Sequence, residues 1–386
     1  MKMTKVLALL LAVILIMSCT ACGLSGAPAA TATADPNASA PAGTAAAGSD
    51  ATVGLQSNVY SIPDYSTVGS DVKVLRVSVS MNEADYGVSA SGVMVKTFVD
   101  RLAELSGGKL VAQVYPGSQL AGTTDDILNG MNTGAFEMSE VGIGNWGDYT
   151  TAYAPMNVPF LFSSDDVAYK IISGDIGQKM FTQFETDTSM HAVGFMDLGM
   201  RTITNNKTEI HTPADLKGLK IRVQSDPIQM ATFETLGAST MNVSFSELFT
   251  SLQQGLCDGQ DNPVITNVSR KFYECQKYMT LLNHMPNFSI FFVSDLCWNQ
   301  LTAEQQGWIA QAGQEASEAS HQTCLASVDT LVGQLKTYGI DVTELTPDER
   351  QQFVDAVSGS VWNQCKQTMG DDMWNALQSA VTAASK

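Results

Sequence analysis

Residues 142–147 read GIGNWG, which meets the G-x-G-x-x-G spacing of a dinucleotide-binding loop. Such a loop works only where it follows a strand and opens a helix, so that backbone N–H groups face the pyrophosphate. Here Pro155 and Pro159 follow shortly after Gly147, and proline in a helix interior removes a hydrogen bond and clashes with the preceding turn. The nucleotide reading fails on that context. The glycines are expected instead to shape a loop that needs close backbone approach or a positive φ. H-E-x-x-H, G-x-S-x-G and G-x-x-x-x-G-K-[ST] are absent, and the four histidines, His191, His211, His284 and His321, are far apart in sequence. Nothing in these motifs calls for a catalytic centre, a metal or a cofactor.

The arginines carry more chemistry. There are six, Arg76, Arg101, Arg201, Arg222, Arg270 and Arg350. Arg222 stands on the polar side of LKIRVQ (219–224), where Leu219, Ile221 and Val223 take the other face of a strand. Arg201 follows Leu198-Gly199-Met200 at an expected strand end. A guanidinium grips a carboxylate through two parallel N–H···O bonds, more directionally than an ammonium does. Each of these two arginines therefore reads either as an anion anchor or as one side of a structural salt bridge.

The elements that would hold them alternate. Residues 74–80 and 110–115 read as strands, and Val95, Phe98, Val99 and Leu102 recur at helical spacing. Thr124-Asp125-Asp126 opens a further helix. The pattern restarts with a strand at 193–198, the cap Thr212-Pro213, and a capping-box spacing at Ser244 to Glu247. From Thr302 onwards the chain reads as helical. Strand–helix alternation of this kind predicts an α/β architecture with a largely parallel sheet.

The chain has 386 residues and a formal charge of −18. That balance excludes nucleic acid as a partner, because phosphate binding needs clustered Lys and Arg. Lys2 and Lys5 precede an apolar run over residues 6–17, long enough for a signal sequence and too short to span a bilayer. Two cysteines follow. Cys22 is the expected lipidation site of a lipoprotein, with Cys19 as its rival. Residues 25–52 are built from small and polar types with Asp, and no Lys or Arg falls between Lys5 and Lys73, a composition with nothing to bury. The expected organisation is a signal peptide over 1–21, a tether over 22–70, and a folded part large enough for two lobes. Cys257, Cys275, Cys297, Cys324 and Cys365 lack C-x-x-C spacing and read as buried thiols, with room for one disulfide.

A long ordered set of motifs then resembles one family. GMRTITNNKTEIHTPADLKGLKIRV (199–223), LGAS (236–239) and FSELFTSLQQGLCDGQDNP (245–263) are similar to the solute-binding proteins of TRAP transporters, the DctP type. SGGKLVAQVYPGSQL (106–120), VPFLF (158–162), His284 and WNQLTAEQQGWI (298–309) extend the likeness over roughly 73–360. The resemblance implies a two-lobed periplasmic-binding-protein-like fold with a ligand cleft between the lobes. Residues 71–198 with about 285–325 would form lobe I, and 199–284 with about 326–386 would form lobe II and the C-terminal helices. It implies a receptor that closes on a small organic acid and delivers it to membrane permease subunits, with no catalysis. Arg222 would bind the carboxylate, with Arg201 and Asn262 completing the site. Asn145 and Trp146 of the GIGNWG loop, Phe245, and Asn82 and Glu83 of the loop after the first strand would face the ligand. Two departures stand out: Asp261 replaces a frequent Glu, and Ser80-Met81-Asn82-Glu83 lacks a frequent His-Pro pair. That loop helps select the ligand, so its identity stays open. The implied place is outside the cytoplasmic membrane, lipid-anchored or periplasmic. An ATP-driven importer's binding protein, a sensor for a signalling kinase and a secreted enzyme are the other readings.

Overall fold

The computed structural model describes residues 60–386. The signal segment, Cys19, Cys22 and the tether up to residue 59 lie outside the described residues. The expected tether extended to residue 70, but residues 60–65 are laid against the fold. Ile62 and Tyr65 pack on a core cluster, and the Tyr65 N–H donates to Gln113 Oε1 at 2.6 Å. These apolar side chains give that stretch something to bury, which the upstream composition lacks.

Ten strands form one sheet among the described residues. They are β1 Lys73–Ser78, β2 Leu110–Tyr115, β3 Met138–Gly142, β4 Met190–Asn205, β5 Lys220–Val223, β6 Ser239–Asn242, β7 Gly259–Pro263, β8 Tyr278–Thr280, β9 Pro286–Ser294 and β10 Asp341–Thr343. The spatial order is β2-β1-β3-β9-β4-β7-β5-β6, with β8 between β4 and β10. The two outer groups are parallel, β1 with β2 and β3, and β5 with β6 and β7. The middle is antiparallel: β9 lies between β3 and β4, and β4 runs on to pair with β7, which joins the two groups. The sheet is thus mixed rather than largely parallel. The sequence shows the βαβ units at each side but not the pairing of β9 with strands distant in the chain.

β4 decides the architecture. Its first half pairs with β9, from Met190↔Ser294 to Asp197↔Phe288. The register shifts between Asp197 and Met200, and the second half pairs with β7, from Arg201↔Pro263 to Asn205↔Gly259. Gly199 sits at this break with φ +87°. It reads as a strand stop in the sequence, but the chain absorbs the positive φ as a bulge and resumes the ladder. One strand therefore belongs to both halves of the sheet.

The helix Ala303–Thr337 lies along the junction against β4 and the helix Ala90–Leu105. Its Thr302 forms a full capping box with Gln305. Gly313 brings it onto β4 so closely that an added Cβ would lie 1.9 Å from the Val193 carbonyl oxygen. The C-terminal helix Ser360–Ala384 buries Trp374, Leu377 and Val381 in the same cluster as Phe233, Ile172 and Phe353. All five cysteines among the described residues are free.

Candidate functional site

A cavity of about 300 Å³ opens where the carboxyl ends of β1, β3 and β5 face β7 and β9. This is where open α/β sheets place their ligands, because neighbouring loops diverge there. Ser78 to Met81 continue β1 into its wall, Ser139 to Gly142 come from β3, and Gln224 and Ser225 extend β5. Asn262 of β7, Asn287 and Ser289 of β9, and the loop 242–246 close it.

Arg201 stands behind this wall and is fully committed. It is 1 % exposed. Nε donates to Asp261 Oδ2 at 2.8 Å, and Nη2 donates to Asp261 Oδ1 at 3.1 Å and to the Asp261 carbonyl oxygen. Nη1 donates to Gln224 Oε1 at 2.8 Å and Asn287 Oδ1 at 2.6 Å. Burial works against the charged form of Asp261, but Arg201 and a hydrogen bond with His284 outweigh it and hold the carboxyl below its ordinary value. Burial pushes His284 the other way, towards the neutral imidazole. Arginine only donates, so both amide oxygens must face it. The Gln224 Nε2 and Asn287 Nδ2 groups are left without hydrogen bonds among the described residues, on side chains that line the cavity. Arg201 is a positioning residue that presents amide donors.

Arg222 is different. Nε and Nη2 both donate to the Val243 carbonyl oxygen, at 3.0 and 2.8 Å, which places the guanidinium directly behind the 242–246 segment of the wall. Nη1 is buried with no partner, and Arg222 makes no ion pair among the described residues. Burial pushes its pKa down to about 10, so the side chain remains a cation at neutral pH. A buried cation without a counter-ion is costly unless something supplies one.

The remaining expected residues divide. Asn145, Phe245 and Asn262 line the cavity. Asn262 donates Nδ2 to Gln260 Oε1, which leaves its Oδ1 as an acceptor. Trp146 does not reach the wall and is corrected to core. It is fully buried, edge-on to Phe184 and Phe292 at ring separations of 4.8 and 5.3 Å. Glu83 is exposed and also off the wall. Asn82 lies just behind it, donating Nδ2 to the Ser269 carbonyl and accepting from Arg270 Nη1 at 3.4 Å.

The glycines of residues 142–147 have a steric explanation. An added Cβ at Gly144 would lie 2.4 Å from Gln229 Nε2 and 2.5 Å from Gln224 Oε1. At Gly147 it would lie 2.8 Å from the Ser225 carbonyl oxygen. The turn must come this close to the end of β5, and none of the three glycines needs a positive φ.

Sequence reasoning did not single out Gln224, Asn287, Glu140 or Arg270 as site residues. Gln224 was visible as the polar neighbour of Arg222. Glu140 carried a signal too, as the one acid in MSEVG, a strand buried on both sides. Asn287 carried none, because its role depends on Arg201 meeting it from another strand.

The model of the bacterial extracellular solute-binding protein family 7, DctP, matches residues 87–368. The 2,3-diketo-L-gulonate-binding periplasmic protein of Escherichia coli is 27% identical over 297 residues, 77% of this chain and 88% of its own. The C4-dicarboxylate-binding periplasmic protein of Vibrio cholerae is 29% identical over 293 residues, 75% of this chain and 86% of its own. The sugar acid binding protein of Advenella mimigardefordensis, solved with galactonate, superposes with a TM-score of 0.75 at 25% identity, covering 81% of this chain and 100% of that one. Its neighbours are two-lobed receptors, and no helix among the described residues is long and apolar enough to cross a membrane. This chain belongs to the DctP family of extracytoplasmic solute-binding proteins, the receptors of TRAP transporters.

Proposed function

We propose that this receptor holds a small organic acid by its carboxylate, with Arg222 as the anchor, and hands it unchanged to the permease subunits of a TRAP transporter. The observation that carries the reading is the bare Nη1 of Arg222. A buried guanidinium with no counter-ion and one unused N–H₂ group is preorganised for an incoming carboxylate. Asn262 Oδ1 and the amino groups of Gln224 and Asn287 supply the neutral contacts. The relatives named for 2,3-diketo-L-gulonate and C4-dicarboxylates, and the neighbour solved with galactonate, support an organic acid.

Binding closes one lobe on the other. The register break at Asp197–Met200 in β4 is where the sheet changes partner, and we assign the hinge there. Closure strengthens the Arg–carboxylate pair by excluding water. Outside the described residues, we assign Cys22 as the lipidated N-terminus of the mature protein. Mass spectrometry of the exported protein should find a diacylated Cys22, and an unmodified Cys22 within a longer mature chain would remove the anchor.

The test of the reading is thermal unfolding against a panel of organic acids. A ligand at one hundred times its Kd adds about 2.7 kcal/mol to the folded state, which is a visible shift. The shift should come from one class of acid and disappear in Arg222→Gln. Truncating one side of a buried, hydrogen-bonded charge pair costs at least about 2 kcal/mol, or roughly thirtyfold in affinity. Unchanged affinity in that variant would refute the anchor. Recovery of the acid chemically altered would refute the non-enzymatic reading.

A further inference from the structure

The end of the cavity formed by β1, β3 and the segment 265–270 carries two charged side chains that neither the fold nor Arg222 requires. Glu140, on β3, is 7 % exposed and lines the wall. Its Oε1 accepts from the Ser80 N–H at 2.9 Å and from the Ser80 hydroxyl. Its Oε2 has no hydrogen-bond partner, and the residue forms no ion pair among the described residues. Arg270 also lines the wall. Its guanidinium lies 4.8 Å from the centre of the Phe245 ring, Nη2 donates to the Ser80 carbonyl, and Nη1 reaches Asn82 Oδ1. Its Nε is uncommitted, and it too forms no ion pair. Ser80 thus ties an acceptor with a spare lone pair and a donor with a spare N–H to the same stretch of wall.

The charge around them limits the ligand. The side chains lining the cavity include four acids, Asp85, Asp125, Glu140 and Asp148, against one cation, Arg270. With Arg222 behind the wall, the site has a place for one carboxylate. A second carboxylate at the Glu140 end would meet two acids, Glu140 and Asp85, against the single cation Arg270, and like charges brought together in a confined site repel by several kcal/mol. A hydroxyl both donates and accepts, so it can give its proton to Glu140 Oε2 and accept from Arg270. The rest of the wall is rich in serine, threonine and amide side chains, which suits further hydroxyls.

We infer that the ligand is a hydroxylated monocarboxylic acid, that Glu140 and Arg270 bind its hydroxyl groups, and that Glu140 and Asp85 turn away a second carboxylate. This rests on the carboxylate reading of Arg222.

The experiment is calorimetric titration of the exported protein with D-erythronate, galactonate, succinate and 4-aminobutanoate, repeated on Glu140→Gln, Arg270→Gln and Arg222→Gln. The ligand-free melting temperature of each variant checks that it folds. The expected result is binding of a hydroxy acid at least about tenfold tighter than succinate, since a hydrogen bond to a charged group is worth that much or more. Glu140→Gln should weaken the hydroxy acid by about tenfold and narrow its lead over succinate. Arg270→Gln should weaken the hydroxy acid in the same direction. Succinate binding as tightly as either hydroxy acid would overturn the inference, and so would 4-aminobutanoate outbinding both, or Glu140→Gln leaving the ratio unchanged. In each case the Arg222 anchor would still stand if Arg222→Gln abolishes binding. No binding from any of the four acids would overturn the carboxylate reading and this inference together.

Discussion

At the scale of single residues, two buried arginines a few ångströms from one cavity are doing opposite things. Arg201 has every donor used and an ion pair with Asp261 that is itself fully buried. Removing one side of such a pair strands the other charge and typically costs about 3–5 kcal/mol. Arg201→Ala should therefore lower stability by that order in urea denaturation, with or without ligand. A loss below about 1 kcal/mol would show the pair to be dispensable to the fold. Arg222 has no counter-ion to strand, so Arg222→Gln should leave the ligand-free protein as stable as before, or more so, while removing affinity. Asp165 gives the pH prediction. Burial first, and then the neighbouring Asp197, raise its carboxyl well above the ordinary value of 3.8. A group raised in the folded state contributes nothing while both states are protonated. It lowers stability progressively as pH rises from its unfolded value through its folded one. Asp165→Asn should then melt at a higher temperature than the parent at neutral pH, with the gain shrinking towards zero below about pH 4. A gain that is constant across that range would place its cause elsewhere.

At the scale of elements, close approach explains the glycines better than backbone freedom does. Gly144 faces the ends of two glutamine side chains, whereas Gly313 faces the Val193 backbone. The side chains can move and the backbone cannot do so cheaply. Gly144→Ala should therefore displace Gln224 and weaken ligand binding with little loss of stability. Gly313→Ala should force the long helix off β4 and cost about 1–3 kcal/mol, read by denaturation. Equal stability losses in the two variants would contradict this division. The elements were largely legible where one residue decides them. The helices expected to open at Thr124-Asp125-Asp126, at Thr212-Pro213 and from Thr302 begin at Thr124, Pro213 and Ala303, and Leu110–Tyr115 is the strand expected there. Two things were not legible. The Ser244–Glu247 spacing reads as a capping box, but the two side chains bond each other and the turn begins as a short 3₁₀ segment. β4 continues through Gly199 because its partners β7 and β9 lie far along the chain, and pairing across such distances leaves no local trace. The same reason hid Asn287 and the real occupation of Arg201. An arginine on a strand face looks alike whether its partner is a ligand or a buried aspartate some sixty residues away.

At the scale of the whole molecule, two parallel groups of strands are joined through β9 and the crossing strand β4, and the long helix packs along β4. The cavity sits where the strand ends of the two groups face each other, so a ligand held there touches both. On the proposed closure, affinity and closing are one equilibrium, because contacts completed only in the closed form stabilise that form by their own free energy. The negative surface of the chain fits this economy. A local cation at Arg222 acts against the protein's own field and marks the place where an anion can be held. In the proposed function, the missing partner of Arg222 is a ligand carboxylate. The measurement that meets it most directly is a crystal structure of the protein with the acid selected by titration. A carboxylate oxygen should lie within about 3 Å of Arg222 Nη1, with Arg201 still bound to Asp261. A carboxylate lodged elsewhere in the cavity, with Nη1 still bare, would contradict it.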